Sequence, residues 1–185
     1  MLNVPNALTL LRILAVPLFL SALAEGQNTM ALVVFIAAGV TDGIDGFIAR
    51  MYDLRTELGA HLDPLADKML VLSAFIALGL LDAIPLPLMI IVIMRDIVIL
   101  GGFLLTAAIV GKSMEMDPSI AGKLTTFTQL LSITLVLVDR AALWRAPEMP
   151  LAALFVVTGL CCFWSGAGYV VRGIGFYNEH TSGDD

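Results

Sequence analysis

Four carboxylates, Asp42, Asp45, Asp63 and Asp67, interrupt an otherwise apolar chain, in two short-spaced pairs on either side of a polar stretch. An acidic side chain within or beside a membrane span is costly unless it faces a cavity, a cation or a partner. Four together point to a metal-dependent active site near a bilayer surface. No His or Cys joins the cluster, and oxygen-only ligands favour Mg²⁺ or Mn²⁺ over zinc. Four carboxylates can bridge two such ions, the arrangement that clamps a phosphoryl centre undergoing displacement. A phosphate-bearing substrate follows.

The elements that must position these groups are helices. Asp42, Asp45, Gly46 and Ala49 recur at helical spacing and fall on one face. Asp63 and Asp67 are four apart, so they share a face if Pro64 occupies the first turn of the next helix, where a missing N–H does no harm. Like charges this close repel, and each would take up a proton unless cations lay between them. Gly46 and Ala49 offer almost no side chain beside the acids, so a nucleotide or pyrophosphate can approach the backbone. Arg50 can reach phosphate with its forked side chain. Gly59 lets the intervening turn pass tightly, while Asp53, Arg55 and Glu57 read as solubilising residues of that turn.

Composition says what surrounds these helices. Of 185 residues, 59% are hydrophobic and 14% charged, against about a quarter charged in soluble domains. Apolar stretches close to the span length of roughly 20 residues recur at 7–25, 29–49, 64–82, 85–110, 120–138 and 150–173. The expected fold is an all-α integral membrane protein with six transmembrane helices and a short N-terminal interfacial segment around Asn3, Pro5 and Asn6. Arg12 lies inside the first apolar run and no small-residue cleavage site follows it, so this run reads as a mature helix and not a signal peptide.

Basic residues gather in alternate loops: Arg50, Arg55 and Lys68, then Lys112 and Lys123, then Arg172. The basic-inside bias places both termini and the acidic cluster in the cytoplasm, as in a bacterial inner (cell) membrane protein. Arg140 and Arg145, in an opposite loop, run against this bias. The net charge of −6 comes partly from the C-terminal Glu179, Asp184 and Asp185, and no basic patch supports nucleic-acid binding. Cys161 and Cys162, adjacent within an apolar run, read as small buried hydrophobes, with no zinc or disulfide spacing.

Asp42, Asp45, Gly46, Ala49 and Arg50, followed by Gly59, Asp63 and Asp67 at fixed spacing, resemble the complete signature of the CDP-alcohol phosphatidyltransferases. The resemblance extends to the opening Asn3–Val4–Pro5–Asn6 before Thr9 and Arg12, and to the six-span layout. It implies a membrane domain over 1–176 with a polar tail over 177–185. It also implies an enzyme that displaces CMP from CDP-diacylglycerol with an alcohol hydroxyl. By position, Asp42, Asp45 and Asp63 would hold the divalent metals. Asp67 would complete that set and act as general base. Asp42, Gly46, Ala49 and Arg50 would contact the CDP-lipid, with Gly59 shaping its pocket.

Arg95–Asp96 breaks the fourth apolar run, and Lys123 opens the fifth, with Thr125, Thr126 and Gln129 following. Arg95 can pair with Asp96 internally, but an intramembrane Arg beside a phosphate-processing cavity more often holds an anion. Arg95 and Lys123 are thus candidate contacts for an acceptor phosphate. Glycerol 3-phosphate and phosphatidylglycerol both fit. The stretch Ile84–Pro85–Leu86–Pro87 through Arg95–Asp96, the Pro118–Ser119 approach to Lys123, and Gln129 resemble the cardiolipin synthases of the family. Its phosphatidylglycerophosphate synthases usually carry Glu at the position of Asp96. Phosphatidylglycerol is the expected acceptor.

A transporter or channel would also place acids among spans, but it predicts matching features in two halves of the chain, whereas all four acids lie between 42 and 67. The run Ser165–Gly166–Ala167–Gly168 permits close helix approach, within the chain or in a homodimer.

Overall fold

The computed structural model describes residues 4–52, 57–110 and 120–181, with side chains over 11–41, 68–102 and 120–175. Every regular element among them is a helix: α1 Val4–Ala24, α2 Asn28–Tyr52, α3 Glu57–Leu80, α4 Leu86–Val110, α5 Ile120–Arg140 and α6 Glu148–Thr181. Each matches one of the apolar stretches read from the sequence. Two, Ile120–Arg140 and Glu148–Gly175, are long and apolar enough to cross a membrane among the described residues.

Helix ends depart from the apolar boundaries. α3 begins at Glu57, seven residues before the apolar run, so Pro64 lies inside the helix and not in its first turn, and Gly59 is helical. Hydropathy marks where a chain enters lipid, whereas helix ends follow backbone propensity, and Glu57, Leu58, Ala60 and Leu62 favour helix. The expected interfacial lead-in is likewise part of a helix, because α1 includes Pro5 and Asn6 in its first turn. Pro is tolerated there. α6 continues through Thr181, so residues 177–181 of the expected polar tail are helical. At 1.5 Å per residue its 34 residues extend about 51 Å, well beyond a hydrocarbon core of about 30 Å.

The chain divides into two compact units, Met1–Ile84 with Ile133–Glu148, and Pro85–Ser132 with Met149–Asp185. In the first, α1 packs against both α2 and α3. Buried residues follow helical periodicity: Ala15, Phe19, Ala22 and Leu23 on α1, Ala31, Leu32, Phe35 and Ala38 on α2, and Leu70, Val71, Ala74, Phe75 and Leu78 on α3. The Phe19 and Phe35 rings meet with centroids 5.9 Å apart, tilted by 45°. Small residues alternate with these rings, which lets the helices approach closely.

Three helix ends in this unit close in the same way. After α1, Gly26 adopts φ 71°, Gly26 N–H donates to the Leu23 carbonyl (3.1 Å), and Gln27 N–H donates to the Ala22 carbonyl (2.8 Å). This is the Schellman pattern. After α3 it recurs at Asp82 (φ 54°), with Asp82 N–H on the Gly79 carbonyl and Ala83 N–H on Leu78. After α5 it recurs at Ala142 (φ 54°), with Ala142 N–H on Asp139 and Leu143 N–H on Val138. The Asp139 carboxylate also accepts the Ala146 N–H at 3.0 Å, bracing that loop, and Arg140 Nε donates to Asn28 Oδ1 at 3.3 Å. Arg140, which ran against the charge bias, thus ties the end of α5 to the start of α2.

Candidate active site

All eight signature positions fall on two helices of the first unit. α2 carries Asp42, Asp45, Gly46, Ala49 and Arg50 in its last turns, and α3 carries Gly59, Asp63 and Asp67 in its first three. The backbone is helical at both pairs. Asp42 and Asp45 are therefore i,i+3 neighbours, and Asp63 and Asp67 are i,i+4 neighbours. The side chains of residues 42–67, and so the expected convergence of the four carboxylates, lie outside the described residues. Asp53 and Arg55 lie outside them altogether. Among the described residues no group of three His, Cys, Asp or Glu side chains could hold a metal. The fit of a divalent cation thus rests on the donor set, four carboxylates at helical spacing, whose oxygens are the ligand type that Mg²⁺ or Mn²⁺ takes.

The second unit carries Arg95 and Lys123. Arg95 sits in the tenth position of α4, and its side chain is 10% exposed. The internal ion pair that the sequence allowed does form, with Nη1 2.7 Å from Asp96 Oδ1. Asp96 does not use up the guanidinium. Nη2 donates to Ser165 Oγ on α6 at 3.2 Å, and the buried Nε–H has no acceptor among the described residues. Leaving a buried donor unmet costs about 1–3 kcal/mol, more for a charged group. Lys123 lies exposed in the first turn of α5.

Beside this arginine, α5 and α6 meet along a seam of buried polar groups. Thr125, Thr128, Gln129 and Ser132 lie on one face of α5, and Thr158, Cys162 and Ser165 on α6. The Thr125 Oγ1 proton is shared between the Ala121 carbonyl of its own helix (2.8 Å) and the Cys161 carbonyl of α6 (3.0 Å), Gln129 Nε2 donates to Cys162 Sγ at 3.5 Å, and the Ser132 and Thr158 hydroxyls lie 3.1 Å apart. The sequence pointed to Thr125 and Gln129, and to Ser165 only as a small residue for close helix approach, but Thr128, Ser132 and Thr158 passed unnoticed. The spacing 125, 128, 132 was the available signal. Both cysteines are free, and Cys162 is buried, as expected of small apolar residues. Part of the Ser165–Gly168 run serves contacts inside the chain: a methyl group at Gly166 would stand 3.7 Å from Arg95 Cγ.

The sequence profile described as CDP-alcohol phosphatidyltransferase matches residues 2–164. The chain belongs to that family. It is 36% identical over 179 residues to a probable phosphatidylglycerophosphate synthase of Mycobacterium tuberculosis, across 93% of this chain and 82% of that protein. It is 32% identical over 152 residues to a CDP-diacylglycerol–glycerol-3-phosphate 3-phosphatidyltransferase of Bacillus subtilis, across 74% and 77%. Similarity of 31% over 187 residues extends to a probable CMP-forming cardiolipin synthase of Drosophila melanogaster, across 92% of this chain and 58% of that protein. These relatives are phosphatidyltransferases, so this chain is an enzyme that transfers a substituted phosphate group.

Proposed function

We propose that this CDP-alcohol phosphatidyltransferase moves the phosphatidyl group of CDP-diacylglycerol to the glycerol hydroxyl of phosphatidylglycerol, giving cardiolipin and CMP. The observation that carries the reaction is the complete eight-residue signature on two helices of one unit. Asp67 takes the proton of the acceptor hydroxyl as its oxygen attacks the phosphatidyl phosphorus, and the bond from that phosphorus to CMP breaks. Asp42, Gly46, Ala49 and Arg50 hold the CDP part, and Gly59 shapes its pocket. Divalent cations bound by Asp42, Asp45, Asp63 and Asp67 would neutralise charge on the pyrophosphate and the departing CMP.

In this reading all six helices cross a bilayer, with both termini and the signature at the cytoplasmic rim of a bacterial inner membrane. Each helix has at least 21 residues, enough for a core that needs about 20. Large apolar side chains such as Leu14, Leu18, Val33, Ile36, Leu80, Val156, Leu160, Phe163 and Trp164 stand exposed. Such surface suits lipid better than water.

Arg95 and Lys123 are the acceptor-phosphate contacts. A phosphodiester or phosphomonoester beside the attacking hydroxyl would meet the donors that Asp96 and Ser165 leave available on Arg95. The Asp at position 96, and the prolines that open α4, favour phosphatidylglycerol. Glycerol 3-phosphate is the second reading, favoured by the names of the Mycobacterium and Bacillus relatives. Purified protein in defined liposomes with labelled CDP-diacylglycerol separates the two, each acceptor being offered alone. Cardiolipin is the expected product, and product from glycerol 3-phosphate alone would reverse the choice.

A further inference from the structure

We infer that Ser165 is a positioning residue for the acceptor phosphate: its hydroxyl on α6 holds the Arg95 guanidinium of α4 so that the Nε edge is presented to an oxyanion. The inference rests on the reading of Arg95 as an acceptor contact and adds how that contact is oriented.

Adjacent residues on a helix point about 100° apart, so Asp96 draws the Arg95 head sideways around α4 by its hold on Nη1. A single tether at Nη1 leaves the planar fork free to swing about that bond. Ser165 supplies the second tether, 70 positions away in the chain, through Nη2 at 3.2 Å. Two tethers at different nitrogens fix a plane. Three of the five N–H donors are then left over, and the one nitrogen with no acceptor among the described residues is Nε, buried on a side chain that is nine-tenths buried. A phosphate oxygen is the partner that a cationic N–H gains most from. Gly166, next to Ser165, keeps the α6 surface low beside the Arg95 stem, so the head and the hydroxyl can meet.

Steady-state kinetics of the full-length protein in liposomes test this, with KM measured separately for CDP-diacylglycerol and for phosphatidylglycerol or glycerol 3-phosphate, whichever is turned over. Ser165→Ala should raise the acceptor KM by roughly fivefold to tenfold, the weight of one such hydrogen bond, with kcat and the CDP-diacylglycerol KM within about twofold. Ser165→Cys, close in size but a weak acceptor, should behave like Ser165→Ala and stands in for it if that variant folds poorly. Ser165→Thr, which keeps the hydroxyl, should restore the acceptor KM. Arg95→Lys keeps the charge and loses the fork; it should raise the acceptor KM further, and adding Ser165→Ala to it should change nothing more.

An unchanged acceptor KM in Ser165→Ala and Ser165→Cys, with a raised one in Arg95→Lys, would overturn the positioning role and leave Arg95 as the acceptor contact. An unchanged acceptor KM in Arg95→Lys would remove both. A fall in kcat or in thermal stability with the acceptor KM constant would make Ser165 a packing residue only.

Discussion

The two units are built on opposite terms. Where α1, α2 and α3 meet, the interior is aromatic and aliphatic: Phe19, Phe35, Phe75 and Leu78, with Ala15, Ala22, Ala31 and Ala74 between them and Arg12 the buried polar exception. In the second unit α4 buries Leu88, Val92 and Ile99, but along α5 and α6 the buried positions are Thr125, Thr128, Gln129, Ser132, Thr158 and Ser165, with Cys162. In the proposed six-span arrangement lipid tails are as apolar as Leu, so hydrophobic burial would distinguish neither seam from its surroundings. What remains is shape in the first unit and hydrogen bonding in the second. The unit that carries the fixed acidic signature is held by rigid packing, and the unit that carries Arg95 is held by groups that can also exchange bonds with a polar ligand.

The largest expected effect breaks chemistry on the rigid side and leaves its packing intact. Asp67→Asn should lower turnover by about 10²–10⁴-fold, the usual weight of a general base, with an unchanged circular dichroism spectrum and CDP-diacylglycerol binding retained. Exhaustive chelation should also abolish turnover, and added Mg²⁺ or Mn²⁺ should restore it. Substantial turnover by the variant would remove Asp67 from the base role.

Next comes the packing itself. Phe75 is fully buried on α3, and Phe75→Ala should destabilise the protein by about 3 kcal/mol through the cavity it leaves. Thermal unfolding in detergent reads this directly. If the first unit is the rigid one, Phe75→Ala should also lower kcat more than any single hydroxyl removed from α5 or α6.

How much of this contrast was legible follows from what each residue does locally. Charge in an apolar chain is conspicuous, so the four acids, Arg95 and Lys123 stood out, and six apolar stretches marked six helices. The start of α3 did not, since Glu57, Leu58, Ala60 and Leu62 are helix formers outside any apolar run. Hydroxyls were the harder case. Thr125 donates to the Ala121 carbonyl, Ser132 to Thr128 and Thr158 to Leu154, each at 2.8 Å one turn back. A Ser or Thr so satisfied is at home in any apolar helix. Its second partner on another helix leaves no trace in its own neighbourhood of the chain. Ser165 leaves no such trace either, and only tertiary structure pairs it with Arg95.

The left-handed residue after α5 was equally hidden. Gly26 announces its turn, but Ala142 takes the same position with a Cβ, at a penalty of about 1–2 kcal/mol. Ala142→Gly should therefore stabilise the protein by about 1 kcal/mol, less than the full penalty because Gly loses more entropy on folding. The gain should appear as a higher Tm with kinetics unchanged, since this loop carries none of the site residues. No change in Tm would mean that the unfolded state gains as much from Gly as the turn does.

The smallest effect discriminates most finely between the two kinds of interior. Ser132 and Thr158 lie 3.1 Å apart across the α5–α6 seam, and each already bonds a carbonyl of its own helix. If this seam is a structural lock, a cycle of Ser132→Ala, Thr158→Val and the double variant should give a coupling near the upper measured value of about 1.7 kcal/mol. If its polarity serves to admit a polar ligand, the coupling should be about 0.6 kcal/mol, the ordinary value for hydrogen bonds between helices in lipid. The smaller value is expected, because a hydroxyl with a carbonyl one turn back loses little when its cross-helix partner goes. In that case the same variants should shift the acceptor KM more than the Tm, the reverse of Phe75→Ala.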